Sequence, residues 1–477
     1  MKYIVTDNNV EGYKFEKESF NDLQRIADCR LDKLKDSSNN ELWIFPREGQ
    51  RYDDKIEDQH IISLVGNTFT TGNIMGFIGS GNTEITIRSR FSRENGHDWF
   101  MQYMLQKVFA INVFNLKHSK GTDNALNITA LMFPHFLQKA LSQGVYREYV
   151  RREYNDSRAR GSINISNHIK ANYPFKNGKV SYSTREYVYD NSITQLIRHT
   201  IEFLKTDQMT WEILYANKET QESIKQIINA TPTYRKGDLR KVLLSNMKPK
   251  IHPYYSEYGP LQKICLQILR REKMSYGSSS KQVYGILFNG AWLWEEYLDM
   301  TMRQAGFSHP KNKTGEGKIF PFKNKSRYSR YPDFIKKNAV ADAKYKYLLK
   351  DGDNSDRVYE NIGHNDLNQM ISYMHITSAQ KGIFISPTTL SVVNPEVGEL
   401  YKDSDFLIRE DVLFGYRVGE LKGHGGEIFI IGVNVPKGAE DYTEFVNAMK
   451  LTEIALLQSL HKIIDRMPSN ESDNCTT

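Results

Sequence analysis

The sequence predicts an α+β protein of several domains: a β-rich N-terminal domain, a mainly helical middle region and a C-terminal α/β core. Its length of 477 residues exceeds the size of one ordinary domain. Between residues 61 and 90, β-branched stretches are separated by glycine and asparagine, whereas apolar residues recur at helical spacing after residue 97. The serine-rich stretch 275–280 is the best candidate for a linker before the last region. We therefore expect the following division: 1–96, 97–274, 275–466 and a disordered tail at 467–477.

The composition describes a globular chain with a mildly basic charge. Hydrophobic residues make up 39% of it and charged residues 25%, which excludes a wholly disordered or coiled-coil protein. The net charge of +7 gives only weak support for a polyanionic partner. Cys29, Cys265 and Cys475 are too widely spaced to indicate a disulfide framework or a structural zinc site. Because the apolar runs are short and the N-terminus has no apolar signal core, we expect a cytoplasmic chain without a membrane segment.

Three stretches of the N-terminal domain have the composition of strands: residues 61–65, 74–78 and 84–90. The segment 76–81 is rich in glycine, but it has no lysine and leads into a strand, whereas a phosphate-binding loop leads into a helix. We interpret it as the turn of a β-hairpin. Apolar residues at helical spacing from about residue 97 then predict the first helix of the middle region.

The middle region contains a segment, residues 146–170, in which tyrosines are mixed with arginines. On a helix, Arg147 and Arg151 would share one face, and Glu148 could pair with Arg152 on the next. Such a helix could contact phosphates or could be an ordinary solvated surface, and the second outcome is the commoner one. Two further stretches have helical patterning, residues 191–204 and 224–228.

The last region opens with a predicted helix that Asn289 caps and Gly306 ends. Its apolar stripe consists of Ala291, Trp294, Leu298 and Met302. The other faces of this helix carry three acids, Glu295, Glu296 and Asp299.

A strongly basic segment follows this helix. Residues 301–350 contain thirteen lysines and arginines against three acids. Four aromatic residues that could stack on bases lie among them: Phe320, Phe322, Tyr328 and Tyr331. A nucleic acid-binding segment is the favoured interpretation, and a merely solvated basic loop is the alternative. The cations that we expect to contact DNA are Lys311, Lys313, Lys323, Lys325 and Arg327.

Two of the three acids in this basic segment, Asp333 and Asp342, fit opposite positions of a β-hairpin. A two-residue turn at Lys337 and Asn338 would place them face to face, with Cβ atoms roughly 4.5 to 5.5 Å apart. Lys344 lies two positions after Asp342, which in a strand puts it on the same face. Two carboxylates so placed repel each other unless a cation or a shared proton offsets their charge.

This convergence has a chemical interpretation. A divalent cation such as Mg²⁺ could take oxygen ligands from Asp333, Asp342 and the backbone carbonyl of Ala343, and keep its other positions for water and phosphate. Lys344 could orient a bound water, help to deprotonate it, and offset charge beside it. The predicted reaction is phosphodiester hydrolysis. On spacing alone, a surface hairpin with mutually screened charges is at least as good an interpretation.

A second pair of polar residues follows on a predicted helix. Gln369 and Tyr373 are four residues apart and would lie one above the other, beside an apolar face. They could place an amide and a phenol next to a phosphate, or they could be the polar edge of an ordinary helix. Two apolar runs at 382–386 and 427–435 then predict strands that extend the sheet.

The order of these features resembles the PD-(D/E)xK nuclease superfamily: a helical acid, P-D, D-x-K, and then Q-x-x-x-Y. Over roughly residues 60 to 390 the chain also resembles the McrC family, the nuclease subunits of McrBC-type modification-dependent restriction systems. The stretches that carry this likeness are Gly144 to Ile169, Tyr182 to Ile197, Gly285 to Leu298 and Ala341 to Lys346.

The resemblance implies a C-terminal α/β nuclease core that uses Mg²⁺, and an N-terminal part that docks on a McrB-like AAA+ GTPase and stimulates its nucleotide hydrolysis. By position, it assigns catalytic roles to Asp333, Asp342, Lys344, Glu295, Gln369 and Tyr373. The implied substrate is double-stranded DNA, methylated or not. The chain has no G-x-x-x-x-G-K-[ST] motif, so motor activity must come from another polypeptide.

Two functions of different classes remain open at this point. The chain could be an endonuclease subunit that cuts DNA when a nucleotide-driven partner translocates it. It could instead be a non-catalytic DNA-binding adaptor that activates the GTPase, with a structural or degenerate D-x-K site. A nuclease of DNA repair, or one that acts on RNA without a motor, is a third and weaker option. The intact acids and lysine favour the first function.

Overall fold

The computed structural model describes residues 1–27, 41–45, 60–92, 98–109, 124–248, 252–274, 283–310, 317–323, 328–351, 358–389, 407–410, 413–423 and 425–465. These residues form two compact units. The first unit contains the described residues up to 108 and from 283 onward, and the second contains those from 109 to 274. Helices and several sheets occur together, so the α+β prediction is confirmed at this level. The predicted tail at 467–477 lies outside the described residues.

The N-terminal part of the first unit is rich in strands. Its elements are β1 Lys2–Thr6, β2 Tyr13–Lys14, α1 Phe20–Ala27, β3 Glu41–Phe45, β4 Ile62–Val65, β5 Thr68–Thr71, β6 Ile74–Ser80, β7 Thr83–Arg88 and α2 Trp99–Val108. The three predicted strands are present as β4, β6 and β7. β6 and β7 form a hairpin whose turn begins at Gly81, where a φ of +57° lies in the left-handed region that suits glycine. The interpretation of the whole segment 76–81 as the turn is wrong for residues 76–80, which belong to β6 and pair with β7.

The second unit consists mainly of helices around one small sheet. Its elements are α3 Asn124–Leu141, β8 Glu148–Asp156, β9 Ser162–Ile163, α4 Ile165–Asn172, β10 Val180–Val188, α5 Ser192–Leu204, α6 Gln208–Tyr215, α7 Lys218–Ala230, α8 Leu239–Ser245 and α9 Tyr258–Met274. α5 and α7 confirm the helical patterning predicted at 191–204 and 224–228.

The helix predicted around Arg147 and Arg151 is wrong. Residues 148–156 form the strand β8, which pairs antiparallel with β10 over nine residues. Half-buried and exposed side chains alternate along β8, a period of two that suits a strand. Arginine and glutamate favour helices locally, but pairing with a strand far along the chain decides the outcome.

The C-terminal part of the first unit contains a second, larger sheet, together with helices and other strands. Its elements are β11 Val283–Asn289, α10 Gly290–Gln304, β12 Phe334–Lys336, β13 Ala339–Ala343, β14 Leu349–Asp351, β15 Val358–Glu360, α11 His364–Thr377, β16 Lys381–Thr388, β17 Leu407–Glu410, β18 Leu413–Glu420, β19 Glu427–Asn434 and α12 Tyr442–Asp465. The sheet has the order β12-β13-β16-β19-β18-β17, and β13, β16 and β19 run parallel.

Helices cover this sheet. Met370 and Met374 of α11 are buried in one cluster with Phe384 of β16. Because successive residues in a strand point to opposite faces, Ile385 lies on the other face, and its carbonyl oxygen accepts a hydrogen bond of 3.2 Å from Trp294 of α10. β16 is buried along its whole length, as expected for a parallel strand covered on both faces.

One strand joins the two ends of the first unit. β11 pairs with β6 and β3 in the N-terminal sheet of order β1-β7-β6-β11-β3, and α10 follows it directly. The N-terminal sheet and α10 therefore belong to one compact unit. Whether the predicted segments 1–96 and 275–466 also fold as separate domains stays a prediction. Among the described residues, no helix is long and apolar enough to cross a membrane.

Candidate active site

The predicted hairpin is present and has the predicted register. Phe334 of β12 lies opposite Ala341 of β13, and residues 337–338 form the turn between the two strands. Asp333 directly precedes β12, and its Oδ2 accepts a hydrogen bond of 2.8 Å from the backbone N–H of Ala343. The hairpin therefore holds the first acid beside the C-terminal end of β13.

Asp342 and Lys344 lie at that same end, where β13 pairs with the buried strand β16. Asp342 is only 3% exposed, and the ammonium of Lys344 is 2.6 Å from its Oδ2. The backbone N–H of Lys344 donates to the carbonyl oxygen of Ile385 at 2.9 Å, so pairing with β16 continues as far as this lysine. The D-x-K spacing thus places both side chains on one face, as predicted.

A chain of hydrogen bonds links this lysine to α11. Lys344 donates from Nζ to Gln369 Oε1 at 2.9 Å. Gln369 donates from Nε2 to the hydroxyl of Tyr373 at 2.7 Å, and that hydroxyl donates to the carbonyl oxygen of Tyr331 at 3.0 Å. The spacing of four residues on a helix brings Gln369 and Tyr373 onto one face, as the sequence predicts.

The acid of α10 also faces the hairpin. Glu295 Oε1 lies 3.7 Å from Nε2 of His309, and Nδ1 of the same ring lies 2.8 Å from the carbonyl oxygen of Asp333. Glu296, the adjacent acid, accepts a hydrogen bond of 3.0 Å from the indole N–H of Trp292, one turn earlier in α10. Of the two neighbouring glutamates, Glu295 is the one that the structure brings to the site.

The electrostatics of the site reflect several buried charges in a small volume. Burial raises the pKa of Asp333 well above its ordinary value, and the carboxylates of Glu295 and Asp342 raise it further. Burial lowers the pKa of Lys344, but the surrounding carboxylates, chiefly Asp342 and Asp333, together raise that pKa overall. The pKa of Tyr373 is also raised, first by burial and then by the two aspartates. A bound cation would offset this concentration of negative charge.

The donor set fits a hard divalent cation. Oδ2 of Asp342 is buried and, among the described residues, receives no hydrogen bond of ordinary geometry, although the Lys344 ammonium is close. The N–H of Ala343 points to Asp333, and the N–H and C=O of one residue point to the same edge of a strand, so the Ala343 carbonyl is on that edge too. Two carboxylates and one carbonyl would leave positions for water and phosphate, as Mg²⁺ prefers. No three His, Cys, Asp or Glu side chains form a ready metal cage in the part of the chain that the structure describes.

The structure adds two residues that the sequence did not single out. Asp366, in the first turn of α11, accepts a hydrogen bond from Lys346 and lies 3.5 Å from the Lys344 ammonium. An acid three residues before Gln369 on the same predicted helix was a usable signal for this position. The side chain of His309 is only 7% exposed and lies between Glu295 and the carbonyl oxygen of Asp333. No spacing pattern in the sequence indicates that His309 belongs to the site.

The basic segment is only partly described. Lys323 is exposed, as are Phe320 and Phe322 beside it. The other four predicted DNA contacts lie outside the described residues: Lys311, Lys313, Lys325 and Arg327. Their role as DNA contacts stays a prediction.

Known proteins provide an independent comparison. A family model described as McrBC 5-methylcytosine restriction system component matches residues 69–387, which is more than half of the 477 residues. No curated protein matches the chain. Two solved structures are similar to it: a refined half-complex from a tetradecameric assembly of Thermococcus gammatolerans McrB AAA+ hexamers with bound McrC, and a cryo-EM structure of the Thermococcus gammatolerans McrBC complex.

Both structural similarities are distant. The half-complex has 15% sequence identity and a TM-score of 0.48, and the match covers 96% of this chain and 99% of the other. The cryo-EM complex has 13% identity and a TM-score of 0.33, with 64% of this chain and 88% of the other covered. The family match, in contrast, spans both units and includes the P-D, D-x-K and Q-x-x-x-Y residues. This chain belongs to the family of McrBC 5-methylcytosine restriction system components.

Proposed function

We propose that this chain is the Mg²⁺-dependent endonuclease subunit of a McrBC-like restriction system and that it hydrolyses phosphodiesters of double-stranded DNA. The observation that carries the proposal is the convergence of Asp333, Asp342 and Lys344 at the end of one hairpin, in contact with Gln369 of α11. In a surface hairpin with screened charges, these side chains would be solvated rather than buried beside a helix. PD-(D/E)xK chemistry is the interpretation that uses all of them.

Each residue has a role in the proposed reaction. Asp333, Asp342 and the Ala343 carbonyl would hold the cation. When bound, Mg²⁺ acts as a Lewis acid that lowers the pKa of a coordinated water and offsets charge on the phosphate. Lys344, held at a fixed position by Gln369, keeps its positive charge next to the carboxylates, where a phosphate oxygen would carry negative charge.

The residues around Lys344 fix its position. Tyr373 accepts from the Gln369 amide nitrogen, which leaves the amide oxygen to accept from Lys344. The carboxylate of Asp366 lies 3.5 Å from the Lys344 ammonium and also forms an ion pair with Lys346. A preorganised cation of this kind costs little reorganisation when the phosphate binds.

We further infer that the chain assembles with a McrB-like AAA+ GTPase and stimulates its nucleotide hydrolysis. Membership in the McrBC family supports this inference, and the chain itself contains no phosphate-binding loop motif that could drive a motor. The similar half-complex from Thermococcus gammatolerans contains McrB AAA+ hexamers with bound McrC. The name of the family points to DNA that carries 5-methylcytosine as the substrate.

The test uses the chain assembled with its AAA+ partner and methylated DNA. Asp333→Ala, Asp342→Ala and Lys344→Ala should abolish cleavage and leave stimulation of GTP hydrolysis intact. Lys337→Ala, in the turn of the same hairpin, is the matched control and should cut normally. Undiminished cutting by the three alanine variants would reject the proposed site. If the wild-type complex hydrolyses GTP but never nicks DNA with any divalent cation, the chain is the adaptor instead.

A further inference from the structure

One exposed face of the second unit carries arginines that face each other. β8 and β10 pair antiparallel, and their register places Arg151 directly opposite Arg185. Both side chains are exposed, and neither forms a hydrogen bond or an ion pair within the described residues. Like charges directly opposite each other in a sheet are destabilising. An anion that bridged the two guanidinium groups would remove this repulsion.

Aromatic rings continue the same face. Tyr149 lies opposite Tyr187, with ring centroids 4.9 Å apart, and the two residues are 70% and 46% exposed. The guanidinium of Arg147 lies 3.8 Å from the ring centroid of Tyr189, beyond the end of β10. Guanidinium groups beside exposed aromatic rings are the combination that binds phosphates together with bases or sugars.

The opposite face of the same two strands carries one arginine, Arg152, against three acids, Glu148, Asp156 and Glu186. Arg152 lies 4.0 Å from the carboxylate of Glu186, which also accepts a hydrogen bond of 2.7 Å from the Tyr154 hydroxyl. At the far end of the arginine-bearing face, the side chain of Asn167 donates to the carboxylate of Glu153 at 2.8 Å. Glu153 lies on the arginine-bearing face next to Arg151, so the arginines of these two strands that form no ion pair within the described residues lie on that face, between Glu153 and Tyr149.

We propose that this face binds the phosphodiester backbone of DNA, through Arg147, Arg151 and Arg185 with Tyr149 and Tyr187 beside them. The inference rests on the proposed function, since DNA is then the substrate of the chain. A phosphate fits better than a carboxylate-rich protein segment, because a bare pair of arginines suits bidentate phosphate contacts and the exposed rings offer stacking surfaces that an acidic peptide would not use. The face lies in the second unit and shares no residue with the proposed cleavage site.

The experiment measures DNA affinity of the full-length chain by fluorescence anisotropy, with chelator present so that no divalent cation supports cleavage. A labelled duplex and the corresponding single strand are titrated over a series of salt concentrations. The variants are Arg151→Ala/Arg185→Ala, the charge-conserving Arg151→Lys/Arg185→Lys, and Arg152→Ala as the matched control on the opposite face. Thermal unfolding of each variant checks the fold. Since the wild-type arginines repel each other, the double alanine variant should be at least as stable as the wild type.

The double alanine variant should bind about tenfold or more weakly near physiological salt. Its slope of log K against log salt should decrease by about 1.8 for the duplex or about 1.4 for the single strand, which also tells which form the face prefers. The lysine pair should keep most of the slope, and Arg152→Ala should keep both slope and affinity. A wild-type slope and affinity in the double alanine variant would overturn the proposal.

Two other results would also overturn it. If the double alanine variant binds DNA normally but no longer assembles with the AAA+ partner, the face recognises a protein. If the wild-type chain shows no DNA binding that depends on salt, the face has no such ligand. Failure of the proposed cleavage function is a separate result, because it is measured as cutting by the Asp333→Ala complex, whereas this proposal is measured as DNA binding of the arginine variants without a divalent cation.

Discussion

Gln369 and Tyr373 share a hydrogen bond of 2.7 Å, which fixes the Gln369 side chain so that its amide oxygen faces the Lys344 ammonium. The phenol orients the amide, and the amide orients the lysine. Tyr373 should therefore affect the cleavage rate without contacting the substrate, as residues that hydrogen-bond to the ligands of a metal site do.

Tyr373→Phe tests this relay. Loss of the hydroxyl frees the Gln369 amide to turn, so the cleavage rate should fall by about 10-fold to 100-fold. Single-turnover cleavage by the assembled complex measures this effect. Tyr103→Phe is the matched control, because it removes a hydroxyl that donates to Glu453 in another part of the same unit. If both variants cut at the same rate, the Tyr373 hydroxyl has no positioning role.

The role of His309 can be tested by substituting asparagine or glutamine, because the amide nitrogen of each takes the place of a different nitrogen of the imidazole ring. Asparagine places its side-chain nitrogen near Nδ1, which contacts the Asp333 carbonyl oxygen at 2.8 Å. Glutamine places its nitrogen near Nε2, which is 3.7 Å from Glu295 and therefore beyond hydrogen-bonding distance. His309→Asn should cut within a few-fold of the wild type, whereas His309→Gln and His309→Ala should lose about tenfold.

The magnesium concentration for half-maximal cleavage gives a second measurement on the His309 variants. If His309 holds the backbone at Asp333 in place, the glutamine and alanine variants should need more magnesium, and the asparagine variant should not. Equal impairment of the asparagine and alanine variants would show that the contact with Asp333 is not what matters.

Gly290, the first residue of α10, is expected to tolerate no side chain. A Cβ at this position would lie 2.6 Å from the ring of Tyr345, the buried residue that follows Lys344. Gly290→Ala should lower the free energy of unfolding by about 1 to 3 kcal/mol and should reduce cleavage, because Tyr345 must shift. Gly259→Ala is the control, since a Cβ near the start of α9 meets nothing within 4 Å. Similar melting temperatures of the two variants would contradict the close approach.

The pH dependence of stability should have a contribution from Asp98. Burial raises the pKa of this carboxyl to about 7, although it accepts hydrogen bonds from the N–H groups of Ser89 and Met101. In the unfolded chain its pKa is about 3.9, so folding favours the protonated form between the two values. The contribution to stability is complete below about pH 4 and is lost as the pH rises towards 7, by up to about 1.4 kcal/mol per pH unit.

Asp98→Asn removes this titrating group. Melting temperatures measured from pH 5 to pH 8 should fall less steeply for the variant than for the wild type, even if the variant is less stable at low pH. Parallel curves for the two proteins would contradict a raised pKa at Asp98.

Local signals were sufficient to predict the hairpin of the candidate site. The turn at 337–338 sets the register of β12 and β13, because a two-residue turn leaves one way to pair the strands. The D-x-K spacing places Asp342 and Lys344 on the same face of the sheet. The spacing of Gln369 and Tyr373 fixed their common face in the same way. These relationships span few residues, so the sequence contains the information.

Non-local relationships could not be predicted from the sequence. β8 mixes residues that favour helices, such as arginine and glutamate, with residues that favour strands, tyrosine and valine, and pairing with β10 makes it a strand. β11 joins a sheet whose other strands lie some 200 or more residues earlier, and no local pattern indicates such a partner. His309 reaches Asp333 only because β12 folds back beside the end of α10.

The most direct measurement is the binding of a divalent cation to the chain alone, with Mn²⁺ in place of Mg²⁺ and paramagnetic resonance as the readout. The wild-type chain should bind Mn²⁺ at a site that Asp342→Asn abolishes and Lys337→Ala preserves. Binding of Mn²⁺ to Asp342→Asn with wild-type affinity would contradict the claim that Asp333 and Asp342 hold the cation needed for cleavage.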